Sequence, residues 1–106
     1  MRRRGFIYWS NLDKRRPALV ISIDARNDRA NDVLVIPCST QLLESPTHVR
    51  LGRGEGGVLH PCVLKCEQIA NVYKLDVDEL PLGPPLGPAR LREVERAIAR
   101  AVGIPA

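Results

Sequence analysis

The sequence contains no apolar run that approaches the roughly 18–20 residues needed to cross a bilayer. The N-terminus, MRRRGFIYW, carries the positive charges of a secretory signal peptide, but no apolar segment of adequate length follows them. These absences predict a soluble, cytoplasmic protein without a membrane partner. The 106 residues suffice for one modest hydrophobic core and are too few for two, so we expect a single domain over residues 1–106.

Cysteine is also scarce. Cys38, Cys62 and Cys66 cannot all pair within one chain, and no two of them form a C-x-x-C motif. His60 lies close in sequence, so a zinc-binding interaction domain is one alternative. Cys62 and Cys66 fall on one face of an apolar run, however, where free cysteine behaves as a small hydrophobic residue. The pattern favours buried free thiols, and we expect no metal ion or other cofactor.

Acidic residues are few in the first 29 positions, where eight cations face three aspartates and leave a net charge of +5. The rest of the chain carries a net charge of −1. A localised positive field attracts polyanions, so RNA or DNA is the first candidate partner. A solvated basic end of the protein is the structural alternative.

Strand-like segments make up most of the chain before residue 75, and no internal repeat is visible. β-branched and aromatic residues predict a strand over residues 5–12. The next strand, ALVISID, is expected to open at Pro17, and ARNDRAND (25–32) has the composition of a loop. Further strands are predicted at residues 33–38, 47–51 and 58–75, the last of them broken at Pro61.

The last quarter of the sequence changes character. PLGPPLGP (81–88) predicts a stiff extended connector. It is followed by a stripe of apolar residues at helical spacing, Leu91, Val94, Ile98 and Val102. Pro88 suits the first turn of this helix over residues 88–102, and Gly103 suits its C-terminal cap. The order of elements predicts a mainly β (α+β) fold, a small antiparallel β-barrel with a C-terminal α-helix packed on it.

Two groups of polar residues could bind an anion. Arg16, with its neighbours Lys14 and Arg15, precedes a buried strand, and the arginine fork matches phosphate oxygens. Ser39, Thr40 and Gln41 follow the apolar strand and could hydrogen-bond a phosphate or a base edge. The structural alternatives are a solvated turn for the first group and hydroxyls that satisfy loop backbone for the second.

Weaker candidates lie elsewhere. Gln68 could recognise a base and Glu67 could accept a hydrogen bond or orient an arginine, unless both simply face solvent at a sheet edge. His48 is a candidate acid–base residue, as is His60, which adjoins a proline. Tyr8 and Trp9 alternate on the first strand, where one belongs to the core and the other could stack on a base; we expect Trp9 to be buried.

Taken in order, these segments resemble the MazF/PemK family of bacterial toxin–antitoxin endoribonucleases over about residues 4–102. GFIYWSNL is similar to the opening strand of the family. RRPALVIS is similar to its Arg-Pro run, VIPCSTQ to its Val-Pro-x-Thr-Thr/Ser-Gln stretch, SPTHVRL to its Pro-x-x-Val strand, and CEQI to its Glu/Asp-Gln-Ile.

The resemblance implies an SH3-like barrel, a homodimer, a cognate antitoxin with an acidic or amphipathic tail, and metal-independent cleavage of single-stranded RNA. Attack by the ribose 2′-hydroxyl would leave a 2′,3′-cyclic phosphate and a free 5′-hydroxyl. Matching residues make Arg16 the group that stabilises the phosphorane and Ser39 the group that holds a phosphate oxygen, with Thr40 as its substitute. RNA binding would involve Lys14, Arg15, Gln41, His48, Glu67 and Gln68.

One departure from the family bears on activity. Relatives have a longer first loop with a glutamate, whereas here only DKRR separates Leu12 from Pro17. In relatives that loop borders the RNA groove. The alternative is therefore a non-catalytic SH3-like toxin or binding module that acts on a protein target such as DNA gyrase, as the related CcdB family does.

Overall fold

A computed structural model of the chain describes residues 2–106 and contains the expected antiparallel sheet and C-terminal helix. The six strands are β1 (Ile7–Asn11), β2 (Arg15–Val20), β3 (Asp32–Ser39), β4 (His48–Leu51), β5 (Cys62–Lys65) and β6 (Ala70–Tyr73). Two α-helices accompany them, α1 (Asp24–Arg29) and α2 (Pro88–Ala101). No helix among the described residues is both long enough and apolar enough to span a bilayer. The mainly β fold with a terminal helix is confirmed.

The sheet curls because β3 is shared between two sets of strands. The strand order is β1-β2-β3-β5-β4, and β6 also pairs with β3. The first half of β3 pairs with β6 and its last two residues, Cys38 and Ser39, pair with β5. Pro37, which has no N–H to donate, stands where β3 changes neighbours. Among residues 2–106, strand pairing does not close the barrel, and a single isolated bridge joins Ser10 to Val77.

Both faces of the curled sheet are buried, which explains the nearly continuous apolar sequence of β3. One face packs a core around Ile7, Leu19 and Ile36 together with residues of α2. The other face packs a smaller core that includes Tyr8 and Val35. Successive residues of a strand point to opposite faces, so each of the central strands contributes to both cores.

Helix α2 begins and ends as its sequence predicts. Pro88 occupies the first turn, and Val94 and Ala97 are fully buried against the sheet. Gly103 has a φ of 80°, which only glycine adopts without strain. The N–H of Gly103 donates to Arg100 O (3.1 Å), and the N–H of Ile104 donates to Ala99 O (2.8 Å). These two hydrogen bonds form a Schellman motif at the end of the helix.

The expected position of Val102 on the buried stripe is wrong, because 64% of this residue is exposed. Val102 lies one residue beyond the last helical residue, where the backbone has already left helical geometry (φ −106°, ψ 11°). The extrapolated spacing of four residues therefore no longer applies at this position.

The segment predicted to be a loop contains the short helix α1 instead. Its composition is polar, but Asn27 is buried and its side chain donates a hydrogen bond to Ser22 O (2.9 Å). Arg26 also forms an ion pair with Asp32 (2.6 Å). These contacts with Ser22 before the helix and with Asp32 of the following strand offset the weak helix propensity of the sequence.

The first two strands also differ from expectation. Tyr8 is the buried aromatic residue, and its hydroxyl accepts a hydrogen bond from Arg3 N–H (2.8 Å), whereas Trp9 is 38% exposed. Pro17 lies inside β2 opposite Trp9 rather than at the start of the strand, which begins at Arg15. The expected alternation of the two aromatic residues is confirmed, but the expectation that Trp9 is the buried one is wrong, because Tyr8 lies on the face that packs the smaller core.

The proline-rich connector packs directly on a glycine turn. Leu82 N–H donates to Ile7 O (2.8 Å) and Leu86 N–H donates to Gly5 O (2.9 Å), so the connector follows the sheet closely. A Cβ placed on Gly57 would lie 2.5 Å from Leu82 O and 2.6 Å from Gly83 N. Glycine is thus required at Gly57 by space as well as by its φ of 90°.

A pair of substitutions separates these two requirements. Gly57→Ala is expected to lower the free energy of unfolding by about 3 kcal/mol, because backbone atoms of the connector must move. Gly54→Ala has nearly the same φ, 92°, and no atom within 4 Å of the added Cβ. It should cost only about 1 kcal/mol, the strain of a left-handed alanine. Urea denaturation of both variants measures the difference, and equal losses would contradict a tight packing of the connector.

An ion pair fastens α2 to the turn that precedes β5. Arg90 donates from Nε to Glu55 Oε2 (2.9 Å) and from its terminal amino group to Oε1 (2.7 Å). Gly52 N–H donates to Glu55 as well (2.9 Å). The hydrogen bonds from Arg90 lower the pKa of Glu55, an effect that its partial burial only partly opposes.

The lowered pKa of Glu55 predicts a pH-dependent stability. The ion pair contributes fully to the free energy of unfolding above the ordinary glutamate pKa of 4.5. This contribution is lost as the pH falls through the lower pKa of Glu55 in the folded state. Glu55→Gln should therefore cost about 1 kcal/mol at pH 7 and progressively less below about pH 4. Denaturation at several pH values measures this, with Glu44→Gln, an exposed loop variant, as the control. A loss that is constant with pH would contradict the role of the ion pair.

Candidate functional site

Polar side chains from four parts of the chain line a cavity of about 390 Å³ at the end of β3. Strands β2, β3 and β5 are neighbours in the sheet, and the cavity lies where their polar ends meet. Six of the nine residues predicted for the site lie here, Lys14, Arg16, Ser39, Thr40, Gln41 and Gln68. Asp13, Lys65 and Cys38 complete the lining.

Arg16 is the most constrained charged group of the cavity. Its side chain is 20% exposed and its terminal amino group forms an ion pair with Asp13 Oδ2 (2.9 Å). The Arg16 Nε is buried and has no hydrogen-bond partner among residues 2–106. A buried donor without a partner is costly, so a small movement of the side chain that gives this nitrogen an acceptor, such as a phosphate oxygen, would be favourable.

Ser39 and its neighbours line the same cavity as Arg16. Ser39 is buried, and its Oγ accepts a hydrogen bond from Gln41 N–H (3.2 Å). This contact is the backbone-satisfying role considered as the alternative, yet it uses the oxygen only as an acceptor and leaves the hydroxyl proton able to donate. Thr40 and Gln41 are exposed at the same rim.

The charge of the cavity is positive. Lys14, Arg16 and Lys65 supply three cations, and Asp13 is the single acid among the described residues that line it. This excess suits a polyanion. It also agrees with the basic character of the first 29 residues, although most of that charge is used elsewhere: Arg3 pairs with Asp24 and Arg4 with Glu95.

Arg15 lies outside the cavity. It follows Lys14 directly but faces away from Arg16, because adjacent residues of β2 point to opposite sides. Its guanidinium carbon lies 5.7 Å from the centre of the Trp9 ring, and it forms an ion pair with Asp78 (2.6 Å). Arg15 and Trp9 therefore form a separate exposed surface.

His48 and Glu67 are occupied with each other. His48 Nε2 lies 3.1 Å from Glu67 Oε2, and its Nδ1 lies 2.9 Å from Leu43 O. Thr47 donates to Glu67 Oε1 (2.9 Å). Burial raises the pKa of Glu67, but hydrogen bonds from its own backbone N–H, from His48 and from Thr47 outweigh this and lower it. This cluster fastens the loop before β4 beside a second cavity of about 500 Å³, which His48 lines.

The three cysteines are buried and free, as expected. No group of three or more His, Cys, Asp and Glu side chains among residues 2–106 is arranged to hold a metal ion. His60 is exposed and lies apart from the residues of the Arg16 cavity.

Sequence reasoning missed Asp13 and Lys65. Asp13 could have been found, because an acid three residues before Arg16 in a tight turn can reach that arginine. Lys65 carries no local indication of a role. Only the pairing of β3 with β5, Ser39 opposite Val63, brings the end of β5 to the cavity.

Solved structures of similar fold cover nearly the whole chain. A Mycobacterium tuberculosis toxin, MazF-mt6, matches with a TM-score of 0.85 and 23% identity over 94% of this chain and 98% of its own. An endoribonuclease in complex with its cognate antitoxin from a mycobacterial species matches with a TM-score of 0.85 and 27% identity over 98% and 97% of the two chains. A MazE-MazF structure from Deinococcus radiodurans matches with a TM-score of 0.80 and 23% identity over 96% and 95%.

A comparison with curated protein sequences finds no match. The family model that describes the PemK-like, MazF-like toxins of type II toxin–antitoxin systems matches residues 3–102, and the chain therefore belongs to this toxin family.

Proposed function

We propose that this toxin is a metal-independent endoribonuclease that cleaves single-stranded RNA, messenger RNA above all, at the cavity beside Arg16. One observation supports this most: Arg16, whose buried Nε has no hydrogen-bond partner among residues 2–106, lines a positively charged cavity together with Ser39. The similarity to a mycobacterial endoribonuclease supports the same class of reaction.

In this reaction the ribose 2′-hydroxyl attacks the adjacent phosphorus and the bond to the 5′-oxygen breaks. Arg16 stabilises the negative charge that develops on the phosphorane and donates a hydrogen bond toward the leaving oxygen. Ser39, with Thr40 beside it, holds a non-bridging phosphate oxygen. Arginine remains protonated at physiological pH, so another group must accept the proton of the 2′-hydroxyl.

Asp13 is the best candidate for that proton acceptor. It is the only carboxylate among the described residues that line the cavity, and its ion pair with Arg16 keeps it within reach of the same phosphate. Glu67 faces His48 and Thr47 instead. A carboxylate close to the reacting hydroxyl acts as a general base, a contribution of about 10²–10⁴ in rate.

The remaining cavity residues suit the binding of flanking RNA. Lys14 and Lys65 can contact neighbouring phosphates, and Gln41 and Gln68 can hydrogen-bond unstacked base edges. Arg15 and Trp9 lie outside the cavity, where they could stack on a nucleotide further along the strand. Roles in RNA binding for His48 and Glu67 require substrate that extends to the second cavity.

The partners proposed for this toxin follow from its family. A cognate antitoxin with an acidic or amphipathic tail would cover the basic cavity, and a neighbouring apolar cavity of about 480 Å³, which Trp9 and the exposed Leu59 and Leu80 line, suits apolar side chains of such a tail. We also propose a homodimer that acts in the cytoplasm, where messenger RNA is translated.

The first test is the cleavage of a long single-stranded RNA in excess EDTA. The wild type is expected to cut at defined sites and to leave 5′-hydroxyl ends. Arg16→Ala should cleave at least about 10²-fold more slowly, because it removes the charge that stabilises the phosphorane. Arg92→Ala, which removes an exposed arginine of α2, should cleave like the wild type.

Two results would contradict the proposal. Intact RNA after incubation of the wild type with many different sequences would favour a toxin that acts on a protein such as DNA gyrase. Equal activity of folded Arg16→Ala and wild type would remove Arg16 from the reaction.

The role of Asp13 is tested by two substitutions. Asp13→Asn is expected to lower kcat about 10²-fold, because the amide cannot accept a proton, whereas Asp13→Glu keeps a carboxylate and should retain more of the activity. Asp28→Asn, an exposed variant on α1, serves as the matched control for lost negative charge. Equal activity of Asp13→Asn and wild type would remove Asp13 as the proton acceptor.

A further inference from the structure

Two of the three buried thiols lie together beside the apolar cavity. Cys38 on β3 is opposite Leu64 on β5, and Cys62 lies two residues before Leu64, so the two cysteines are diagonal neighbours on one face of the sheet. Both residues are at most 5% exposed. Both also line the apolar cavity of about 480 Å³ beside Trp9, through which a small uncharged molecule can reach them.

The two thiols are chemically unequal. A hydrogen-bonding interaction with Cys38 lowers the pKa of the Cys62 thiol, whereas the same interaction and burial raise the pKa of Cys38 well above its ordinary value. Cys62 is thus the thiol that ionises first, and the thiolate is the reactive form of cysteine. Cys66 differs from both, because burial raises its pKa to about 12 and it does not line the apolar cavity.

We propose that Cys38 and Cys62 form an oxidation site, at which hydrogen peroxide converts the two thiols into an intramolecular disulfide. The Cys62 thiolate attacks one peroxide oxygen, the O–O bond breaks, and the hydroxide released takes up a proton to become water. The Cys38 sulfur then attacks the sulfenic acid on Cys62. The S–S bond forms, and the hydroxide that leaves Cys62 accepts the Cys38 proton. Two thiols and one peroxide thus give one disulfide and two waters.

The geometry predicts a reversible bond. Cα atoms of diagonal neighbours across two strands are about 7–8 Å apart, while disulfides usually join Cα atoms less than about 6.8 Å apart. The ends of β3 and β5 must therefore approach each other when the bond forms. The strain that this movement stores makes a disulfide more easily reduced, which is typical of a regulatory rather than a structural bond.

The movement would be transmitted to the Arg16 cavity. Cys38 directly precedes Ser39, and Cys38 lines both the apolar cavity and the Arg16 cavity. The last pair of β3 and β5, Ser39 opposite Val63, is adjacent to the pair that contains Cys38. Oxidation is therefore expected to displace the Ser39 hydroxyl within the Arg16 cavity. This consequence rests on the proposed nuclease function, whereas the formation of the disulfide does not.

The site is tested by treating the purified protein with peroxide, removing the peroxide, and then unfolding the protein with an alkylating reagent. The number of alkylated thiols is the number that stayed free. The wild type should fall from three free thiols to one, and peptide mapping should join Cys38 to Cys62. Cys62→Ser and Cys38→Ser should form no intramolecular disulfide. Cys66→Ser is the matched control and should form the same disulfide as the wild type, with no free thiol left.

Three results would overturn the proposal. The first is that the wild type keeps three free thiols after peroxide treatment. The second is a disulfide that includes Cys66, and the third is disulfides that form only between chains. Each can be read without any RNA, so a failure of the proposed nuclease function would not be confused with a failure of the oxidation site.

A second measurement tests the regulatory consequence. Oxidised wild type should cleave RNA at least tenfold more slowly than reduced wild type, and dithiothreitol should restore the rate. Peroxide should leave the rate of the Cys38→Ser/Cys62→Ser double variant unchanged. If the disulfide forms and the rate of the wild type does not change, the proposed link between oxidation and activity is wrong.

Discussion

The structure depends on one strand that is buried on both of its faces and shared by two sets of neighbours. β3 pairs with β2 along one edge and with β6 and then β5 along the other. An apolar strand with all its neighbours in place has one register only, because a slip by one residue would exchange its two faces. The end of β3 is therefore held rigidly, and this fixes the positions of Ser39 and the residues after it.

The candidate site contains a buried hydrogen-bond donor without a partner among residues 2–106, which costs stability. Most of the cations of the first 29 residues have acidic or carbonyl partners, such as Asp24 for Arg3 and Val77 O for Arg2. The buried Nε of Arg16 has none among residues 2–106. An unpaired buried donor costs about 1–3 kcal/mol, and a bound phosphate would recover that cost. Binding and stability are thus opposed at this residue.

The short turn between β1 and β2 places an acidic residue next to Arg16. Only Leu12, Asp13 and Lys14 separate the two strands, so Asp13 reaches Arg16 directly. At 27% identity or less, three of the solved structures similar to this chain share its fold over more than nine-tenths of its length. The fold of this family therefore tolerates wide changes of sequence, whereas the proposed chemistry would depend on a few side chains around the end of β3.

By itself the sequence determined what depends on neighbours along the chain. Periodicity and capping residues determined helix α2 and its Schellman ending, alternation determined the strands, and Arg16 and Ser39 were found beside them. Only the tertiary structure decided which face each side chain occupies. It turned Arg15 away from the cavity, exposed Trp9 and brought in Lys65. The physical reason is that strand pairing joins residues distant in sequence, and local patterns carry no information about which strands will pair.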